Sequence, residues 1–323
     1  MKIDEKNSVT FSRIGSRATF GLVLLELAKK NKNIIAISAD TSTSAGLDRL
    51  KKQLPDNFLD VGISEQNLIG VATGLSSEGF DVFTATFAPF QTMRCCEQIR
   101  VNLGYMKHKI CMVGLASGLV LGTLGFTHCC IEDLSIMRSI PNITVLSPAD
   151  CSETAKVTAA SIEHKNPIYI RLTGGSNQPI VYKKDYNFEI GKGIVLKEGK
   201  DIAIFATGTM VYESIEASKI LETKGISSTV INIHTIKPFD SKLVETISKE
   251  VKLIVTIEEH SLIGGLGSCV AEVKSKIKNS APQVSLGLPL QFGKSAHYPD
   301  VLKSYNLTAP QIAQNIIKQF SNV

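Results

Sequence analysis

A chain of 323 residues with 43% hydrophobic content is long enough to bury two α/β domains of ordinary size, which excludes a disordered or fibrous polypeptide. Its 35 basic and 30 acidic residues leave a net charge of +5 without a long like-charge run, so no nucleic acid partner is expected. Residues Met1 to Thr10 are polar, not a charged start followed by an apolar run, and no stretch approaches about 20 apolar residues. A soluble, cytoplasmic protein with no membrane partner is expected. Seven cysteines form no C-x-x-C pair and fall inside apolar stretches, the pattern of reduced, mostly buried thiols with no zinc site.

Short β-branched runs alternate with amphipathic stretches along the whole chain, as in mostly parallel sheets with crossover helices. Ala18 to Lys30 reads as a helix feeding a strand at Ile34 to Ser38. Phe58 to Val61 follows as a strand, Glu65 to Ser77 as an amphipathic helix, Val82 to Ala85 as a strand and Phe90 to Leu103 as a further helix. Strands over Ile110 to Val113, Thr144 to Leu146 and Ile168 to Leu172, with a helix across Ser152 to Glu163, complete one parallel sheet. Gly174-Gly175-Ser176-Asn177 and the polar Tyr182 to Asn187 break this rhythm. A first domain is therefore expected over 1–175, a linker over 176–189 and a second domain over 190–323. In the second, strands at Ile202 to Ala206, Ser228 to Ile233, Leu253 to Ile257 and Val284 to Leu286 alternate with helices over Val211 to Thr223, Ser241 to Lys249 and Leu266 to Ile277. Thr308 suits the N-cap of a closing helix that reaches Phe320. The fold class is α/β: two domains, each a mostly parallel sheet flanked by helices.

Two glycine-rich segments resemble nucleotide loops but miss the required spacing. Gly264-Gly265-Leu266-Gly267-Ser268 follows a strand and opens a helix, yet Val270 stands at the third glycine of the G-x-G-x-x-G frame, and tight strand-to-helix packing is the preferred reading. Gly287 and Gly293-Lys294-Ser295 are separated by five residues where a phosphate loop needs four. The informative stretch is Asp60-Val61-Gly62-Ile63-Ser64-Glu65-Gln66-Asn67, where a strand ends at a glycine and a carboxylate stands at the first turn of an apolar helix. Its structural reading is a Ser64 cap with Glu65 at the positive end of the helix dipole. Phe87-Ala88-Pro89-Phe90 sets rings at i and i+3 after another strand, at the carboxyl edge where open α/β sheets bind ligands, although a Phe pair alone belongs more often to a core. Gly125-Phe126-Thr127-His128 sets an imidazole on a glycine-bearing loop before Glu132-Asp133, either satisfied structurally or free for proton transfer.

Taken in order, Gly62-Ile63-Ser64-Glu65-Gln66, Phe87 to Arg94 running into Glu97-Gln98-Ile99-Arg100, Thr127-His128 with Glu132-Asp133, and Ser139-Ile140-Pro141-Asn142 leading to Ser147-Pro148-Ala149-Asp150 resemble the pyrimidine-binding domain of transketolases and 1-deoxyxylulose-5-phosphate synthases. Past the linker, Asp201 to Gly208, Thr235-Ile236-Lys237-Pro238 and Glu258-Glu259-His260 with Gly264 to Ser268 resemble the C-terminal domain of the same family. The resemblance implies a thiamine diphosphate enzyme in which a glutamate facing the cofactor's aminopyrimidine starts removal of the thiazolium proton. That glutamate matches Glu65, expected in an apolar, water-poor pocket. Phe90 matches the ring stacked on the aminopyrimidine, Phe87 a second pocket wall, Met93 the place of a third aromatic, and Asp40 a neighbour of the cofactor across the subunit interface. His128 matches the histidine that hydrogen-bonds donor and intermediate oxygens, and Arg17 and Ser44 match positions that bind the sugar-phosphate end.

The family holds the diphosphate and Mg²⁺ with a Gly-Asp-Gly motif and a later Asn, and no Gly-Asp-Gly occurs here. Little sequence precedes the resemblance, so the missing domain is expected on a separate N-terminal transketolase subunit that carries the Mg²⁺ ligands, in an α₂β₂ assembly. This chain is expected to supply no metal ligand and no complete active site. The function implied is that of a split-transketolase subunit moving a two-carbon ketol unit from a ketose donor to an aldehyde or sugar acceptor. Two departures keep other readings open. Thr123-Leu124 stand where transketolases carry Glu-Asp, and Arg171 fits the phosphate arginine of deoxyxylulose-phosphate synthases while the transketolase position falls on Gly174. The alternatives are a pyruvate-using enzyme, such as a deoxyxylulose-phosphate synthase or the β subunit of a 2-oxoacid dehydrogenase, and a catalytically silent scaffold subunit.

Overall fold

The structure, a computed structural model, describes residues 2–322. Its strands in chain order are β1 (Ile34–Ser38), β2 (Phe58–Asp60), β3 (Asp81–Phe87), β4 (Ile110–Ser117), β5 (Thr144–Leu146), β6 (Ile168–Thr173), β7 (Ile194–Lys197), β8 (Ile202–Ala206), β9 (Ser228–Asn232), β10 (Thr235–Lys237), β11 (Leu253–Ser261) and β12 (Gln283–Leu288). They form two helix-flanked sheets, ordered β10-β5-β6-β4-β3-β1-β2 and β12-β11-β8-β9-β7. Every residue of β1, β4, β6, β8, β9 and β11 is buried. Helices cover both faces, which is why these strands read as unbroken apolar runs and not as alternating ones.

The expected α/β architecture is present, with local differences. The first helix runs Glu5–Lys30, well ahead of Ala18, because Asp4 and Asn7 cap each other: the Asn7 N–H donates to Asp4 Oδ1 at 2.8 Å and the Asp4 N–H to Asn7 Oδ1 at 2.9 Å. Gly15 interrupts that helix at φ 85°, where an added Cβ would stand 2.4 Å from the Gly175 carbonyl oxygen. The segment from Phe90 to Leu103 is not one helix but the short pieces Ala88–Thr92, Cys96–Gln98 and a π-helical Ile99–Tyr105. At the closing helix Ala309–Phe320, Thr308 holds the N-cap place without a side-chain cap bond; its hydroxyl donates to Gln311, and the Ala309 N–H goes to Glu213 at 2.6 Å.

The first sheet is not built from the first half alone. Strand β10 comes from beyond the linker and pairs antiparallel with β5, Thr235 opposite Leu146. Strand β5 is three residues long and fully buried, so its outer row of peptide groups needs a partner, and β10 supplies it. Lys237 secures the join by donating to the carbonyls of Arg138 and Ile140. Among the described residues no helix is long and apolar enough to cross a membrane.

Candidate active site

Successive parallel strands deliver the expected site residues to one edge of the first sheet. Asp40 follows β1, Glu65 heads the helix after β2, Phe87 ends β3, and His128 lies in the loop after β4. This is the carboxyl edge, where side chains from separate crossovers converge. Asp60 Oδ1 ties two of the turns together, accepting from the N–H of Asp40 at 3.0 Å and of Gly62 at 2.9 Å. Gly62 at φ 71° then swings the chain into the helix Glu65–Ser77. Ser64 occupies the N-cap position, but its hydroxyl donates to the Val61 carbonyl at 2.8 Å and makes no cap bond.

Glu65 is only 4% exposed. The apolar surroundings expected for it are not what the structure contains: Nη1 of Arg94 donates to Glu65 Oε2 at 2.9 Å, and the guanidinium carbon lies 4.1 Å from the centroid of Phe90. A carboxylate buried without a partner is costly, and a cation four residues after Phe90 meets both the ring and the acid. The three rings make a compact edge-to-face group, with centroids 6.3 Å apart for Phe87 and Phe90, 6.0 Å for Phe87 and His128, and 5.4 Å for Phe90 and His128.

The Thr127 hydroxyl lies 2.9 Å from His128 Nδ1 and 3.3 Å from the Leu124 carbonyl. The contact with Nδ1 orients the imidazole, and which of the two groups donates depends on the ring's tautomer. The loop is backed by the second domain. Phe292 packs on Phe126 at 5.3 Å, the Ala296 N–H donates to the Gly122 carbonyl at 3.1 Å, and a Cβ on Gly122 would stand 2.6 Å from the Ala296 oxygen. Gly293-Lys294-Ser295 is exposed beside this loop, and a Cβ on Gly125 would stand 2.5 Å from Ser295 Oγ. Burial pushes the neighbouring Cys129 thiol up to about 11, so it stays protonated at neutral pH.

Arg17 and Ser44 stand together elsewhere on the edge. Arg17 Nη1 donates to the Ser44 carbonyl at 3.3 Å, and both line a cleft of about 370 Å³; burial lowers the Arg17 pKa from its ordinary value. Asp40 is exposed, and Met93 is 42% exposed and adds no ring to the cluster.

Arg171, which fits the synthase phosphate arginine by sequence, is turned inward in the structure. It is 1% exposed, and its Nε donates to both oxygens of buried Asp133 at 3.1 and 2.9 Å. Nη1 reaches Thr173 Oγ1 at 3.2 Å, and Nη2 reaches the carbonyls of Glu259 at 2.9 Å and Cys130 at 3.4 Å. Every arm is spent inside the protein, tying β6 to Cys130 and Asp133 and to Glu259 of the second domain. Tight packing likewise explains Gly264 to Ser268. The Glu258 carboxylate accepts from the N–H groups of Leu266 at 2.7 Å and Gly267 at 2.8 Å, and a Cβ on Gly265 would stand 1.9 Å from Glu258 Oε2. The helix start that a dinucleotide would use is filled by the chain's own acid.

The sequence reading missed two parts: the use of Arg94, signalled by its i,i+4 spacing from Phe90, and the tie made by Asp60. Among the described residues, no group of three or more His, Cys, Asp or Glu stands together as a metal site.

Comparison with known proteins gives the family of the chain. The family described as "Transketolase, pyrimidine binding domain" matches residues 12–178, and "Transketolase, C-terminal domain" matches residues 191–312. A putative transketolase C-terminal section of Methanocaldococcus jannaschii is 38% identical over 94% of this chain and 96% of its own length. One of the apulose-4-phosphate transketolase subunits of Phocaeicola vulgatus is 33% identical over 94% of this chain and 97% of its own. A solved split-gene transketolase, an inactive β4 tetramer, superposes with a TM-score of 0.86 at 38% identity, covering 95% of this chain and 98% of that one. The chain belongs to the transketolase family and carries its pyrimidine-binding and C-terminal domains.

Proposed function

We propose that this chain is the cofactor-activating subunit of a split transketolase, transferring a two-carbon ketol unit from a ketose to an aldehyde or sugar acceptor once a partner subunit is in place. The observation that carries the reading is a buried glutamate at a helix head, joined through Arg94 to Phe90, which packs with Phe87 and His128 on one sheet edge. Relatives named as a transketolase C-terminal section and a transketolase subunit support it. The edge fits the aminopyrimidine end of thiamine diphosphate on a direct observation: a flat cation already lies on Phe90 and donates to Glu65. When bound, that cofactor supplies the carbon that carries the two-carbon unit.

Each residue then has a task in this reading. Glu65 holds a proton at the ring nitrogen. Phe90 and Phe87 hold the ring in place and keep water out, about 0.5–1.5 kcal/mol each beyond burial. His128 offers its Nε2 to substrate oxygens and moves protons there. Arg17 and Ser44 receive the anionic sugar end, Asp40 borders the cofactor from the partner side, and Met93 lines the rim. We divide the chain into a pyrimidine-binding domain over 1–175, a linker over 176–189 and a C-terminal domain over 190–323. The diphosphate and Mg²⁺ are assigned to an N-terminal subunit with a Gly-Asp-Gly motif, in a cytoplasmic α₂β₂ heterotetramer; seven free thiols, six of them buried, support a reducing compartment.

The test is Glu65→Gln in the reconstituted complex with thiamine diphosphate and Mg²⁺, assayed for transfer from a ketose phosphate to an aldehyde. Loss of proton exchange should lower turnover by about 10²–10⁴-fold; undiminished turnover removes Glu65 from the mechanism. Replacing the ketose by pyruvate separates the synthase-like reading, which would turn over pyruvate alone. A wild-type complex inert with both donors would leave a scaffold.

A further inference from the structure

Arg94 makes the two contacts that a protonated aminopyrimidine would make in this site. Its flat guanidinium lies 4.1 Å from the Phe90 centroid, and Nη1 donates to Glu65 Oε2 at 2.9 Å. Stacking and donating in one geometry is a property of arginine and of few other groups. The two partners are unequally held. The Glu65 side chain is 5% exposed and fixed at the head of a thirteen-residue helix, while the Arg94 side chain is 45% exposed. Arg94 springs from the break between the helical pieces Ala88–Thr92 and Cys96–Gln98. The arginine can swing into water; the glutamate cannot follow it.

We propose that Arg94 is an internal stand-in for the cofactor ring, an inference that rests on the thiamine diphosphate reading above. In the free chain the guanidinium occupies the aminopyrimidine place, keeps the Glu65 carboxylate satisfied and aimed along the face of Phe90, and leaves to solvent when the cofactor is captured. An empty site would otherwise bury an acid without a partner, at the expense of the helix that carries it. The arrangement lowers cofactor affinity, because the incoming ring competes with a group already on Phe90. Arg94 is thus a positioning residue that acts through Glu65.

The experiment is calorimetric titration of the reconstituted complex with thiamine diphosphate in the presence of Mg²⁺. Arg94→Gln and Arg94→Ala remove the half-exposed cation that competes for Phe90 and Glu65, so the cofactor should bind roughly three- to thirty-fold more tightly than to wild type. A folding defect does not tighten binding, which sets this outcome apart from a structural role. Arg94→Lys keeps the charge without the stack and should fall between; it also decides the matter if the truncations do not fold. Unchanged or weaker binding in the folded variants overturns the proposal and makes Arg94 a bystander or a cofactor ligand. If the wild-type complex takes up no thiamine diphosphate, the underlying functional reading falls with it, so the two failures are told apart.

Discussion

Arg171→Ala is the sharpest probe of how the site is supported. The substitution removes both Nε contacts to Asp133 and the Nη bonds to Thr173, Glu259 and Cys130, leaving a fully buried carboxylate with the Tyr169 hydroxyl at 2.7 Å. Removing one member of a buried ion pair costs about 3–5 kcal/mol, because the other charge stays behind without compensation. At about 2–4 °C per kcal/mol for a domain of this size, the melting temperature should fall by about 6–20 °C in a circular dichroism melt. Arg171→Met combined with Asp133→Leu removes both charges and should recover most of the loss. A single variant that melts within about 2 °C of wild type, or a pair no better than the single, would refute the reasoning. Arg171→Lys, assayed cold where it stays folded, should leave the KM for a phosphorylated donor unchanged. A KM rising more than about tenfold, the equivalent of about 1.4 kcal/mol of binding, would restore the phosphate role.

Two further outcomes follow from the buried polar groups. Gly265→Ala drives a Cβ to 1.9 Å from Glu258 Oε2 and 2.7 Å from His260 Nδ1, so urea denaturation should register a loss of about 1–3 kcal/mol; wild-type stability would mean that the helix start yields. His234 is fully buried with Nε2 unpartnered, and burial lowers its pKa from 6.5 to about 4. Folding favours the neutral ring, so its contribution is whole above pH 6.5 and is lost as pH falls toward 4, roughly 3 kcal/mol across the window. Asp150 and Glu153, raised by burial to about 6 and about 7, act in the opposite direction but are common to both proteins. Stability of His234→Gln, followed in urea from pH 6.5 to 4, should decline less steeply than wild type; parallel curves would clear His234.

Most strands legible in the sequence were buried on both faces, where continuous apolar runs leave few other assignments; β2 and β12, only partly buried, were legible from their β-branched and aromatic residues. Strands β7 and β10 escaped notice: each is short, antiparallel and at a sheet margin, and Val195 in β7 faces outward. Of the site, residue types at strand ends could be read, as for Glu65, Phe87, Phe90 and His128. Pairings could not. The Arg94 contact joins positions 29 residues apart, and the Asp133 contact that disarms Arg171 as a ligand spans 38. An arginine near a strand end reads the same whether it faces a substrate or an interior acid, and only the third dimension separates the two.

Strand β10 laces the two halves of the molecule together in a way that the linker alone does not. The C-terminal half reaches back and hems the open margin of the other half's sheet at Thr235 and Lys237. A nick between residues 176 and 189 would leave the halves stitched, whereas expressing the N-terminal half by itself would present the raw margin of β5 as a template for stray strands. Chimaeras that trade C-terminal portions between relatives must therefore carry over the hem along with the fabric it closes.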